Sequence, residues 1–150
     1  MFAFELPSIR AAAHRALITL ASLVLLTGCM HTASAPSNLD YSRTRTSEQG
    51  LYRAAIIPEG DSIPQGKLQK WTLHLASANG APVSAASVAI DGGMPQHGHG
   101  LPTRPRVTRE LGNGDYLVEG MKFNMGGWWV VKFHVASQAG SDSLVFNLSL

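Results

Sequence analysis

Residues 128–136, Trp-Trp-Val-Val-Lys-Phe-His-Val-Ala, place Trp129, Val131, Phe133 and Val135 at every second position, with Lys132 and His134 between them. Side chains of an extended chain alternate between faces, so this pattern suits a strand with one buried and one solvated face, and it does not suit a helix. Trp71, Leu73 and Leu75 repeat the period, with Thr72 and His74 on the other face. Further apolar runs are separated by turn residues about every ten positions, the spacing of an all-β sandwich. Strands are expected over Tyr52–Ile57, Lys67–Ser77, Val83–Ile90, Arg106–Leu111, Asp115–Gly120, Gly127–Ser137 and Ser143–Leu150, about seven in all.

The breaks carry turn chemistry. Gly112-Asn113-Gly114 tolerates positive φ and predicts a hairpin, and Pro58-Glu59-Gly60-Asp61, Asn79-Gly80 and Asp91-Gly92-Gly93 end the neighbouring runs. The segment Met94–Pro105, with Pro95, Pro102 and Pro105, reads as the longest irregular piece. Trp71, Leu73, Leu75, Val88, Ile90, Tyr116, Val118, Trp129, Val131 and Phe133 are the expected core between the sheets.

The start of the chain has a different character. Arg10, His14 and Arg15 precede the apolar run Ala16–Leu26, which is too short to span a bilayer and has the layout of a secretory signal. The run ends in Leu26-Thr27-Gly28-Cys29, which resembles the bacterial lipobox. Residues 1–28 are therefore expected to be a lipoprotein signal peptide, with Cys29 the lipidated first residue of the mature chain. Cys29 is the single cysteine, so no disulfide can form within the chain. Met30 rather than Asp at the next position fits an outer-membrane destination, with the domain facing the periplasm. Residues 29–50, rich in Ser, Thr and charge, read as a flexible tether, and residues 51–150 as one domain.

Loss of residues 1–28 removes Arg10, Arg15 and Glu5 and leaves a net charge close to zero. No run of Lys and Arg interleaves with aromatics, so nucleic acid is not an expected partner. The membrane is expected to be reached through the lipid anchor alone.

One cluster carries chemistry. Met94-Pro95-Gln96-His97-Gly98-His99 is followed by Met121 and Met125, bringing thioethers and imidazoles together in a chain without another thiol. Soft sulfur and imidazole nitrogen suit copper, whereas calcium and magnesium want clustered oxygens. In an extended segment His97 and His99 share a side, and Gly98 leaves both rings room to turn toward one ion. Met94, His97, His99 and Met125 are the candidate copper ligands. Met121 is a further candidate if its strand continues past Gly120, and a core residue if Gly120 bends the chain. The same residues also fit a purely structural role, with methionines filling gaps and histidines holding a proline-rich loop closed.

The segment Met94–Pro105, then Gly114-Asp115-Tyr116-Leu117-Val118-Glu119-Gly120, then Phe123-Asn124-Met125-Gly126-Gly127-Trp128 resembles the YtkA-like domain family. That family is itself similar to FixH and to bacterial lipoproteins named for auxin binding. The resemblance covers roughly residues 50–150. It implies an immunoglobulin-like β-sandwich exported to the cell envelope, and for some relatives an association with copper handling or with partners in respiratory oxidase maturation.

Catalysis is not expected. Neither Gly-x-Ser-x-Gly nor His-Glu-x-x-His occurs, and Asp91, Glu110, Asp115 and Glu119 fall beside turns or on outward strand positions. His74 and His134 read as surface histidines, and His31 falls in the tether. Two functions stay open: a copper-binding or copper-delivering envelope lipoprotein, and a non-catalytic interaction module whose His-Gly-His loop is structural.

Overall fold

The computed structural model describes residues 35–150, so the expected signal peptide and Cys29 lie outside the described residues. Nine strands follow in order: β1 Thr44–Thr46, β2 Tyr52–Pro58, β3 Gln69–Ser77, β4 Ser87–Met94, β5 His99–Gly100, β6 Arg106–Gly112, β7 Asp115–Met121, β8 Trp128–Ser137 and β9 Gly140–Ser149. They form a five-stranded sheet in the order β1-β2-β3-β7-β6 and a four-stranded sheet in the order β5-β4-β8-β9, with every pairing antiparallel. The protein is thus an all-β sandwich, and no helix occurs among the described residues.

The inward positions of the two sheets meet as the alternation requires. Trp71, Leu73 and Leu75 from β3, Tyr116 and Val118 from β7, and Trp129, Val131, Phe133 and Val135 from β8 are all buried. Within the core Trp71 stacks on Phe123 with ring centroids 5.8 Å apart, and Phe123 meets Trp129 edge-on at 5.2 Å. Phe133 and Phe146 form a second edge-on pair at 5.7 Å. Val88 and Ile90, expected in the core, only border it.

Three differences from the sequence reading have physical causes. The strand count is nine rather than about seven, because β1 and β5 are three and two residues long and too short to show a period. The third expected strand is displaced from Val83–Ile90 to Ser87–Met94. Its first residues instead form a turn through Ala85, at φ 53°, pinned where Tyr116 Oη donates to the Val83 carbonyl at 2.8 Å and accepts from the Ala86 amide at 3.1 Å. At its other end β4 runs on through Gly92-Gly93, the expected break. A Cβ at Gly92 would lie 2.2 Å from the Val130 carbonyl oxygen and one at Gly93 2.1 Å from that of His99, so only glycine lets the strands approach this closely.

The tether is the third correction, since residues 40–50 belong to the domain. The Ile56 amide donates to the Arg43 carbonyl, and Arg45 Nε donates to the Val145 carbonyl on β9 at 3.0 Å. The amides of Gln49 and Leu51 donate to the Asp142 carboxylate, at 3.0 and 3.2 Å to Oδ2. Asp142 is only 6 % exposed. Burial opposes its ionisation, but hydrogen bonds from Ser47, Ser143, Gln49 and Leu51 outweigh that and hold its pKa below the ordinary value of 3.8. Polar bonds rather than apolar burial fix this segment, and hydrophobic periodicity does not register them.

Candidate functional site

The Met/His cluster is built on the hairpin joining β4 to β5. Met94 pairs with His99 and Gly93 with Gly100, and the His97 amide donates to the Met94 carbonyl at 3.1 Å. Gly98 takes φ +63° in the connection, a conformation that costs glycine little. The expected irregular segment therefore starts as an ordered hairpin. His97 and His99 are both exposed, with ring centroids 6.0 Å apart and planes inclined by 37°.

The methionines divide. Met94 is 1 % exposed, and its terminal methyl lies 3.3 Å from where a Cβ on Gly127 would stand. The end of the Met94 side chain is thus close to Gly127, so Met94 and the segment carrying Met125 share one end of the sandwich. Met125 is 42 % exposed, while its carbonyl accepts from Trp129 Nε1 at 3.0 Å. The bend is further tied to the last residue of the chain, with Gly127 and Leu150 exchanging backbone hydrogen bonds at 2.8 and 3.1 Å. Met121, opposite Gln69 across β3 and β7, is fully buried in the core. Gly120, at φ +88°, bends the chain there, and Met121 lies in the same apolar core cluster as Met94 rather than among the exposed side chains.

Among the described residues no three His, Cys, Asp or Glu side chains converge as a metal site would need. Any ion held here would depend on thioethers beside the His97–His99 pair. His74 and His134 lie elsewhere on strand surfaces. His134 Nδ1 is 2.9 Å from Ser143 Oγ, and His74 Nδ1 is 2.6 Å from Asp115 Oδ1 on the neighbouring strand, a closer partner than a plain surface histidine would have.

The hairpin also walls a groove of about 570 Å3 whose other side is the outward face of β8 and β9. Trp128, Val130 and Lys132 from β8 line it with Asn147 from β9, Asp91 from β4 and His99. Trp128 Nε1 donates to Asn147 Oδ1 at 3.0 Å, and Asn147 Nδ2 donates to the Asp40 carbonyl at 3.2 Å. Sequence reasoning missed these residues as a group. Its one available signal was the pair of apolar side chains, Trp128 and Val130, at outward positions of β8, where polar residues are the rule.

The family model described as YtkA-like matches residues 46–134, which include Met94, His97, His99, Met121 and Met125. None of the curated proteins matches the chain. Among solved structures the chain is similar to the ZirS C-terminal domain, at 13% identity and a TM-score of 0.40, over 79% of this chain and 82% of that one.

Proposed function

This chain belongs to the YtkA-like family, and from that premise we propose that it is a non-catalytic cell-envelope lipoprotein that binds copper and passes it on. The observation that carries the reading is the nearness of the β4–β5 hairpin to the Asn124–Gly127 bend, where the Met94 side chain ends close to Gly127. His97, His99 and Met125 are exposed on these two segments, and Met94 is buried beneath the hairpin. His97 and His99 would take the ion from solvent, Met125 would approach from the bend, and Met94 would lie beneath.

The donor set fits copper better than zinc, because thioether sulfur is a poor substitute for the thiolate that zinc prefers. A thioether is also not lost to disulfide formation in an oxidising compartment. Met121 has no part in this site. Anchoring through Cys29 would hold the protein at the outer membrane, facing the periplasm, where a copper-handling or oxidase-maturation protein would be its partner.

One observation favours a second reading. Met94, at 1 % exposure, packs as a core filler does, so the hairpin can equally serve as a rigid element of an interaction module. Calorimetric titration of the full chain with Cu(I) and Cu(II) separates the two. Stoichiometric binding tighter than about 1 µM, near −8 kcal/mol, is the result expected for a copper protein. Absence of such binding to either ion leaves the interaction module.

A further inference from the structure

The groove beside the hairpin has features that copper binding does not use. Asn147 lies on the outward face of its sheet yet is only 7 % exposed. Its amide is spent on two bonds, accepting from the Trp128 indole and donating to the Asp40 carbonyl. The indole is thus fixed by a buried amide that is itself fixed, which leaves a rigid aromatic wall in an open cleft. An aromatic surface whose orientation is settled in advance loses little entropy when something packs on it.

Asp91 and Lys132 stand directly opposite each other across β4 and β8, both exposed and both lining the groove. Among the described residues neither joins an ion pair. The cleft thus offers an acceptor, a strong donor and the His99 imidazole around one indole, with Val130 as apolar floor. Its volume of about 570 Å3 lies within the range of roughly 300–1,000 Å3 usual for small-molecule sites.

We propose that this groove is a saccharide-binding site, which borders the hairpin and shares His99 with it. A sugar ring has an apolar C–H face that packs on an indole, and hydroxyls that donate and accept at once, so it needs mixed partners within reach of one aromatic wall. The other ligand classes match less well. An added peptide strand would run along a sheet edge, whereas this cleft is lined from β4, β5, β8 and β9. A polyanion would need more than Lys132 beside Asp91.

Fluorescence and calorimetric titrations of the full chain in EDTA test this, using cellotetraose, maltotetraose and the tetramer of N-acetylglucosamine, with dialanine as the peptide probe. The expected result is saturable binding of at least one tetrasaccharide with a change in tryptophan emission. Trp128→Ala and Asp91→Ala should each weaken it about tenfold or more, with circular dichroism confirming that both variants fold. Asp91 is exposed, so its variant keeps the test meaningful if Trp128→Ala does not fold. No binding of any tetrasaccharide up to about 10 mM, binding unchanged in the variants that fold, or binding of dialanine alone would each overturn the proposal. EDTA keeps the result independent of copper, so the two readings stand or fall separately.

Discussion

The terminal methyl of Met94 sits 3.3 Å from the place where a side chain on Gly127 would begin, so the end of β4 leaves little room for one on the bend before β8. Gly127 is held at φ +110°, where any Cβ is strained as well as crowded. Gly127→Ala should therefore cost about 1–3 kcal/mol of stability, read as a lower urea midpoint. An unchanged midpoint would mean that a side chain at position 127 is neither strained nor crowded.

Copper binding should divide by ligand type. His97→Ala and His99→Ala are expected to weaken Cu(II) binding, whereas Met125→Leu should weaken Cu(I) selectively while leaving the sandwich folded. Met121→Leu, a core exchange of similar volume, should cost less than about 1.5 kcal/mol and leave both affinities unaltered. Titrations of the four variants check this. Equal effects on both ions from every variant would contradict the assignment.

Alternation along β8 makes a paired prediction. Phe133 is fully buried while His134 faces solvent. Phe133→Ala should cost about 3–5 kcal/mol through lost burial and the cavity left behind. His134→Ala should stay within about 0.5 kcal/mol. Thermal or denaturant unfolding distinguishes the two, and similar penalties would refute the facing.

Asp142 gives a pH dependence with a defined sign. Its pKa is lowered on folding because its hydrogen bonds outweigh burial. Its contribution is therefore complete above the unfolded value, near 3.8, and is lost as pH falls through the lower folded value. Glu119, lowered by its hydrogen bond from Thr108, titrates in the same direction at the surface. Asp142→Asn should flatten the acid limb of a stability–pH curve relative to wild type. Asp142→Ala should cost about 1.5–3 kcal/mol at neutral pH, as expected for hydrogen bonds to a charged acceptor. An acid limb identical in wild type and Asp142→Asn would rule out this latch.

At the N-terminus, mass spectrometry of the native protein should find Cys29 acylated and first in the mature chain. Cys29→Ala should release the protein from membranes, because firm anchoring takes two acyl chains or more. An unmodified Cys29 in the native protein would refute this.

Side-chain alternation was readable from the residues alone, because period two in Trp71–Leu75 and Trp129–Val135 reflects local backbone geometry. Together with the turn residues that bound the other runs, it set the fold class and seven of the nine strands, one of them displaced along the chain. It also separated Phe133 from His134. Tertiary structure decided what depends on partners distant in sequence. Gly92-Gly93 reads locally as a turn and becomes strand because β5 and β8 approach its backbone too closely for any Cβ. Residues 40–50 read as a tether and become part of the sandwich because Asp142 and Val145, about a hundred positions away, accept their hydrogen bonds. The fates of Met94, Met121 and Met125 could not be told apart by residue type. The bend at Gly120 turns Met121 into the core, and Met94 is buried with its end close to Gly127 while Met125 stays exposed. Local geometry determines which face a side chain takes, whereas long-range contacts determine what that face meets.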